Sequence, residues 1–355
     1  MYLAFYISSH GFGHMTRCLS IIENILKNTE YNIYIACDKF QNDFAKSYLK
    51  DYNDRVIYKD IITDVGLVNK KDSLEVDKKL LEKKLLNFIN TWDEVVLEEV
   101  DFFSKLRVKS IITDISPIGC LVGKKLNLDT ILISNFTWVE QYEYLNIDKN
   151  IISAFRDTYL CVNKFIKYDM CLPVDSINCD VIENVGFVCR EIDEVKVKEI
   201  KLKYKDCIFI TCGKSANLSS IDVKNFKGTI FTTSGIEINN TEGASIVRLP
   251  LDIKDTQNYI AASDIVITKA GWGTIAECVI GHSGMVLIER PSAREDTFSI
   301  DNISQRNLGI SINEDELHNI DVLEIKEQLE NKVNYNKLNT YTNDVDRVVN
   351  LILDN

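Results

Sequence analysis

Two stretches of this 355-residue chain combine glycines with side chains able to do chemistry. The first is Ser8-Ser9-His10-Gly11-Phe12-Gly13-His14-Met15-Thr16-Arg17, which holds two of the four histidines. The second is Gly271-Trp272-Gly273-Thr274, with Glu277 three residues on. Glycine lets a backbone approach a ligand closely. A turn that opens a helix offers N–H groups and a positive dipole end to an anion. A turn built for shape alone needs glycine, but neither His10 nor His14. An imidazole, with its ordinary pKa of about 6.5, can take a proton from a hydroxyl near neutral pH. Glu277 can accept two hydrogen bonds from a ribose diol, or it can form a capping box with Thr274. The spacing fits both equally.

Both turns need strands and helices to hold them. Residues 3–7 are an apolar run that predicts a buried strand, and Leu19, Ile22, Ile25 and Leu26 mark one face of a helix. Further strands are predicted over 32–37, ending at Asp38, and over 55–58, with a short helix at 40–49 between them. A long helix is predicted from 73 to about 106, with a core stripe of Leu81, Leu85, Phe88, Trp92, Val96, Val100 and Phe103. Lys78, Lys79, Lys83 and Lys84 are then its solvated face. Strands at 110–113 and 130–134 run into Asp114 and Asn135. Repeated apolar strands and helices imply a parallel sheet covered on both faces, with ligands beyond the strands' carboxyl ends. His14, Asp38, Asp114 and Asn135 belong at that edge.

After a helix-like stretch at 151–165, a second series begins. Its strands are predicted at 207–211, 229–233, 244–247, 264–268 and 285–288, with a helix at 275–280. The tail from Glu314 reads as helical. The fold class is α/β, with two Rossmann-like domains at 1–188 and 189–355. Their cleft is the natural ligand site, and the C-terminal helix is free to pack back on the first domain.

The net charge of −12 argues against nonspecific binding to nucleic acid or anionic lipid, so an anion must be held by a local site. Most of the ten cysteines, such as Cys18, Cys37, Cys120, Cys207 and Cys278, sit in apolar runs, and no Cys-x-x-Cys pair occurs. They read as small hydrophobes in a reducing cytoplasm. No run is long enough to span a membrane, and the first residues read as a strand rather than a signal peptide. The expected location is cytoplasmic, with peripheral membrane contact left open.

Two motifs are decoys. Gly213-Lys214-Ser215 lacks the glycine that a Walker loop needs five residues earlier, where Ile208 stands. Gly213 and Ser215 can still form a short anion-binding turn. Asp344-Val345-Asp346 is better explained as an exposed acidic helix face than as a metal site.

From Gly271 to Glu277, with Asp296 and Asn302 beyond, the chain resembles the donor domain of GT-B glycosyltransferases. The UDP-N-acetylglucosamine transferase of peptidoglycan synthesis carries a similar Gly-x-x-Thr-x-x-Glu. The N-terminal half resembles the glycosyltransferase-like domain fused ahead of L-arabinokinases. There the motifs are Ser9 to Arg17, then Thr113-Asp114-Ile115-Ser116-Pro117, then Ser134-Asn135-Phe136-Thr137-Trp138. The likeness spans about residues 2 to 310, and no kinase half follows.

The resemblance implies roles. His14 matches a histidine that acts as base or orients the acceptor, and Asp114 could hold its other nitrogen. His10, Gly11, Gly13, Arg17 and Asn135 belong to the acceptor side. Gly271, Trp272, Gly273 and Thr274 match the diphosphate turn, Glu277 the ribose carboxylate, and Ile253 a position near the base. Arg290, Asp296 and Asn302 match the donor-sugar region only loosely, because Arg294-Glu295-Asp296 replaces the usual Asp-Gln. The implied reaction is transfer from a nucleoside diphosphate sugar, UDP favoured, to a hydroxyl of a glycan, lipid-linked or small-molecule acceptor. Neither metal nor cofactor is expected. Arg17 could instead face phosphate or pair with a carboxylate. The pattern Gly11-x-Gly13-His14-x-x-Arg17-Cys18-Leu19 also resembles the UDP-sugar hydrolase of pseudaminic acid synthesis. Hydrolysis is therefore one alternative, and a non-catalytic nucleotide-sugar-binding protein is another.

Overall fold

A computed structural model describes residues 1–70, 75–212, 218–250 and 252–354. The chain divides into two compact units, Met1–Gly186 with Asp344–Asn355, and Phe187–Asn343.

The first unit carries a seven-stranded, wholly parallel sheet. Its strands are β1 (Tyr2–Ile7), β2 (Asn32–Cys37), β3 (Val56–Asp60), β4 (Val108–Asp114), β5 (Asp129–Ser134), β6 (Lys164–Lys167) and β7 (Val181–Asn184). They lie in the order β3-β2-β1-β4-β5-β6-β7. The order reverses between β1 and β4, the position where such sheets open a crevice at their carboxyl ends. There the register sets Ile7 opposite Asp114. Helices α1 (Phe12–Asn28), α2 (Lys39–Tyr48), α3 (Lys78–Ile89), α4 (Trp92–Phe103), α5 (Pro117–Leu126), α6 (Trp138–Tyr144) and α7 (Lys149–Tyr159) cover it. Both faces are apolar, as a parallel sheet requires: all but the first residue of β1 and of β2 are buried.

The long helix expected from residue 73 is two helices, broken at Asn90 and Thr91; its expected start lies outside the described residues. Phe88 and Trp92 stay buried on either side of the break. Val100 is half-buried, and Glu99 takes the inward place, accepting the hydroxyls of Tyr6 and Tyr34. Phe165, expected in a helix, lies in β6, because the helix stops at Tyr159. Asp38 serves as the cap of α2, accepting the Gln41 N–H at 3.0 Å.

The second unit has a six-stranded parallel sheet of β8 (Cys207–Thr211), β10 (Thr229–Thr232), β12 (Ser245–Arg248), β13 (Ile265–Lys269), β14 (Gly284–Ile288) and β15 (Gly309–Ile312). Its order is β12-β10-β8-β13-β14-β15, with the reversal between β8 and β13. A second parallel sheet, β11-β9-β16, joins β9 (Leu218–Lys224), β11 (Ile236–Thr241) and β16 (Asn319–Asp321). The helices are α8 (Glu194–Lys203), α9 (Thr256–Ala262), α10 (Trp272–Gly281), α11 (Arg294–Gln305), α12 (Glu314–His318), α13 (Val322–Lys332) and α14 (Tyr335–Leu338). The tail is thus not wholly helical, since β16 interrupts it.

The last helix, α15 (Val345–Leu353), packs on α1 of the first unit, so residues 344–355 leave the second domain to which the sequence reading gave them. It buries Val348, Val349 and Ile352. Lys109 and Lys164 donate to its last carbonyls, of Leu353 and Leu351, at 2.8 and 2.9 Å. Cations at a helix C-terminus oppose its dipole favourably. Asp344 and Asp346 are used here structurally: Asp344 accepts the Gly186 N–H and Asp346 the Asn24 amide, each at 2.7 Å. Ile352→Ala should cost about 2–4 kcal/mol. Urea unfolding checks this, and an unchanged midpoint would mean that α15 adds nothing to the core.

Candidate active site

In the first unit, α1 starts at Phe12 after Gly11, whose φ of 72° with ψ of −178° is a backbone conformation that glycine adopts without strain. The i, i+3 spacing then sets His14 and Arg17 on one helix face. Both are buried against Asp114 at the end of β4. Arg17 grips that carboxylate with both ends of its fork: Nε donates to Oδ2 at 2.7 Å, and a terminal nitrogen donates to Oδ1 at 2.5 Å. Its other terminal nitrogen donates to the Asn135 side-chain oxygen at 2.8 Å. Tyr168 lies beneath, its ring centre 5.2 Å from the guanidinium carbon. His14 Nδ1 is 3.0 Å from Asp114 Oδ1 and 2.8 Å from an Arg17 nitrogen.

The structure therefore joins His14, Asp114, Arg17 and Asn135 in one cluster. Arg17 spends its fork on Asp114 and Asn135 rather than turning out toward a phosphate. Burial alone would raise the Asp114 carboxyl, but Arg17 and then His14 hold it well below the usual carboxylate range. Nδ1 can donate to Asp114, which leaves a lone pair on Nε2, or accept from Arg17, which puts the proton on Nε2. The next residue, Ile115, has a φ of 52°, rare for a β-branched side chain. Its carbonyl accepts the Tyr159 hydroxyl at 2.7 Å. Nothing in the sequence pattern announces that strained position. His10 stands edge-on to Trp138, with ring centres 5.7 Å apart.

In the second unit, α10 begins at Trp272 with Gly271 as its cap residue and no side-chain cap bond. The capping-box alternative for Thr274 and Glu277 is thereby set aside. Glu277 is buried and accepts from Arg190 at 2.7 Å. Arg190, itself 2% exposed, also holds the Thr256 hydroxyl at 2.9 Å and the Lys254 carbonyl. Arg190 escaped the sequence reading because it stands alone, 87 residues before its partner. Arg290 donates to Asp296 at 3.2 Å, and both are buried. Burial raises the Asp296 carboxyl, partly offset by Arg290, and lowers the Lys269 amine at the end of β13.

Three further expected site residues have defined surroundings. The Trp272 ring is a core group, 1% exposed and stacked on Phe187 at 5.7 Å, so only its backbone faces the turn. Asn302 bonds back to the Phe298 carbonyl at 2.9 Å. At about 100° per residue it points to a different face of α11 from Asp296. Ile253 sits in a turn closed on the Pro250 carbonyl at 3.2 Å and is half-exposed. Gly213 and Ser215 lie outside the described residues. His282, which had no evident role, is the left-handed C-cap of α10, with a φ of 58°.

Residues 203–343 match the glycosyltransferase family 28 C-terminal domain. An L-arabinokinase of Arabidopsis thaliana is 22% identical over 307 residues, covering 83% of this chain but 29% of that protein. The chain thus spans under a third of that relative's length. Among solved structures, Arabidopsis thaliana UGT89C1 complexed with UDP aligns with a TM-score of 0.66 at 10% identity, over 99% of this chain and 98% of that one. A Polygonum tinctorium UDP-glucosyltransferase capable of glucosylating indoxyl gives 0.63 at 10% identity, over 99% and 97%. MurG of Acinetobacter baumannii gives 0.55 at 11% identity, over 100% and 99%. The fold is that of the GT-B glycosyltransferases, two Rossmann-like units in tandem. The resemblance carried by the two glycine turns is borne out.

Arg17→Ala would leave a buried carboxylate without its counter-charge, and should cost about 3–5 kcal/mol. Because the folded Asp114 carboxyl is depressed, its contribution is complete above the ordinary aspartate pKa of about 3.9 and fades only in stronger acid. Thermal unfolding at pH 7 and pH 3 reads both effects. A stable Arg17→Ala variant would show that the pair is not needed.

Proposed function

We propose that the chain transfers a sugar from a nucleoside diphosphate sugar, UDP-linked by preference, to an acceptor hydroxyl, with His14 as the base. The observation that carries this reading is the buried His14–Asp114 contact of 3.0 Å at the reversal point of the first sheet. With Nδ1–H donated to Asp114, His14 Nε2 takes the hydroxyl proton. The acceptor oxygen bonds to the anomeric carbon, and the diphosphate oxygen leaves with the electron pair. Its charge meets the N–H groups at the uncapped start of α10, so no metal is called for. The second unit serves as the donor domain, with Glu277 toward the ribose and residues 253–256 toward the base. The reading is supported by the family 28 match over this unit and by similar structures that include a UDP-glucosyltransferase and a UGT89C1 complex with UDP.

Thermal-shift measurement of the whole chain against UDP, GDP, TDP and their sugars tests it. UDP and one UDP-sugar should stabilise the chain, by about 2.7 kcal/mol at a hundredfold excess over Kd. Glu277→Ala should weaken nucleotide binding about tenfold or more, read by calorimetry. Unchanged affinity would remove Glu277 from the ribose. Sugar released into water as fast without an acceptor as with one would point to a hydrolase.

A further inference from the structure

Near His14 the first unit buries a carboxylate that this reaction does not use. Asp64 lies on the loop after β3 and is 2% exposed. Its Oδ1 accepts the Ser9 N–H at 2.9 Å, and its Oδ2 accepts the indole N–H of Trp138 at 2.9 Å. Its neighbours bind the same surroundings. The Thr63 N–H donates to the Ser9 hydroxyl at 3.1 Å, the Thr63 carbonyl accepts from Ser116 at 2.9 Å, and the Val65 carbonyl accepts from Tyr142 at 3.0 Å. A Cβ at Gly66 would overlap the His10 ring. Residues 63–66 therefore hold the three segments around His14: the turn before α1, the segment after Asp114, and the start of α6. Trp138 stands edge-on to Phe136 at 5.5 Å, and Phe136 lies 6.1 Å from the His14 ring.

Charge makes the case stronger than packing does. Either donor on Asp64 would be satisfied by a neutral oxygen, yet a full carboxylate is buried there, at a desolvation cost. Asp114 cannot by itself balance a protonated His14, because Arg17 already cancels it. With Asp64 included, Asp114, Arg17, imidazolium and Asp64 sum to zero. Burial pushes the Asp64 carboxyl up, and the bonds from Ser8 and Trp138 and the charge of His14 pull it back. The other titratable groups that feel its charge are Cys37, Tyr142 and Tyr159, and the His10 ring lies beside Gly66, two residues on. Burial pushes that thiol and both phenols up, so they stay neutral near pH 7.

We propose that Asp64 is a positioning residue for His14. It clamps the turn and the Phe136–Trp138 wall, and its charge supports the imidazolium that forms as the acceptor loses its proton. This rests on the reading of His14 as base. The test follows the His14 imidazole by NMR in the whole chain without substrate. In Asp64→Asn it should give up its proton at a pH lower by about one unit. Trp138→Phe, which removes one bond but keeps the charge, should not move it. Where a donor is turned over, Asp64→Asn should lower kcat roughly 10- to 100-fold with donor KM within about twofold. The acid limb of the pH profile should move to lower pH. An unmoved His14 titration in a folded Asp64→Asn variant overturns the proposal, as does an equal shift in Trp138→Phe. If Asp64→Asn does not fold, the coupling is read from the other side. The Asp64 carboxyl, followed by carbon NMR, should titrate at higher pH in His14→Gln than in the native chain, and no movement overturns the proposal. Shifted titrations without turnover of any donor would support the coupling while overturning the transferase reading.

Discussion

The first unit depends on one buried ion pair, Arg17 with Asp114. Asp114 ends β4 at the sheet's reversal, where strand geometry buries it completely. A carboxylate in that place is tolerable only with a cation and several donors around it. Arg17 supplies the cation through a two-point grip, and Cys18 adds a weak donor at 3.3 Å. The same helix turn that delivers Arg17 delivers His14. A pair that looks like structural compensation thus also fixes an imidazole against an anion. The left-handed Ile115 immediately after Asp114 fits a place where the surroundings overdetermine the backbone.

The second unit solves a different problem. Its glycine turn leaves the start of α10 without a side-chain cap bond. The carboxylate beneath is not spent on capping, because Arg190 takes one of its oxygens. Arg190 also clasps the segment at 254–256, so one guanidinium ties Glu277 to the loop before α9.

Much of this was legible in the sequence, for reasons that differ by element. Apolar runs followed by His14, Asp114 and Asn135 marked strand ends, and a parallel sheet must bring strand ends to one edge. The pairing of Asp114 with His14 followed from that geometry. Arg190 and Asp64 were not legible, because each finds its partners far along the chain and neither sits in a motif. The Thr274–Glu277 spacing could not separate a capping box from a ligand group; the start of α10 at Trp272 puts Thr274 inside the helix and sets the capping box aside. The packing of the Trp272 ring on Phe187 was not legible either, because only the helix start fixes which way that side chain turns. The β11-β9-β16 sheet was missed because strands such as Ile236–Thr241 are half polar and lack an apolar run.

The central claim is that His14, oriented by Asp114, takes the acceptor's proton. The most direct measurement is donor turnover and donor affinity side by side for native and His14→Ala chains. The account predicts a loss of turnover of about 10² or more, with the nucleotide-sugar Kd within a few-fold of native. Turnover equal to native in a folded His14→Ala chain would contradict it.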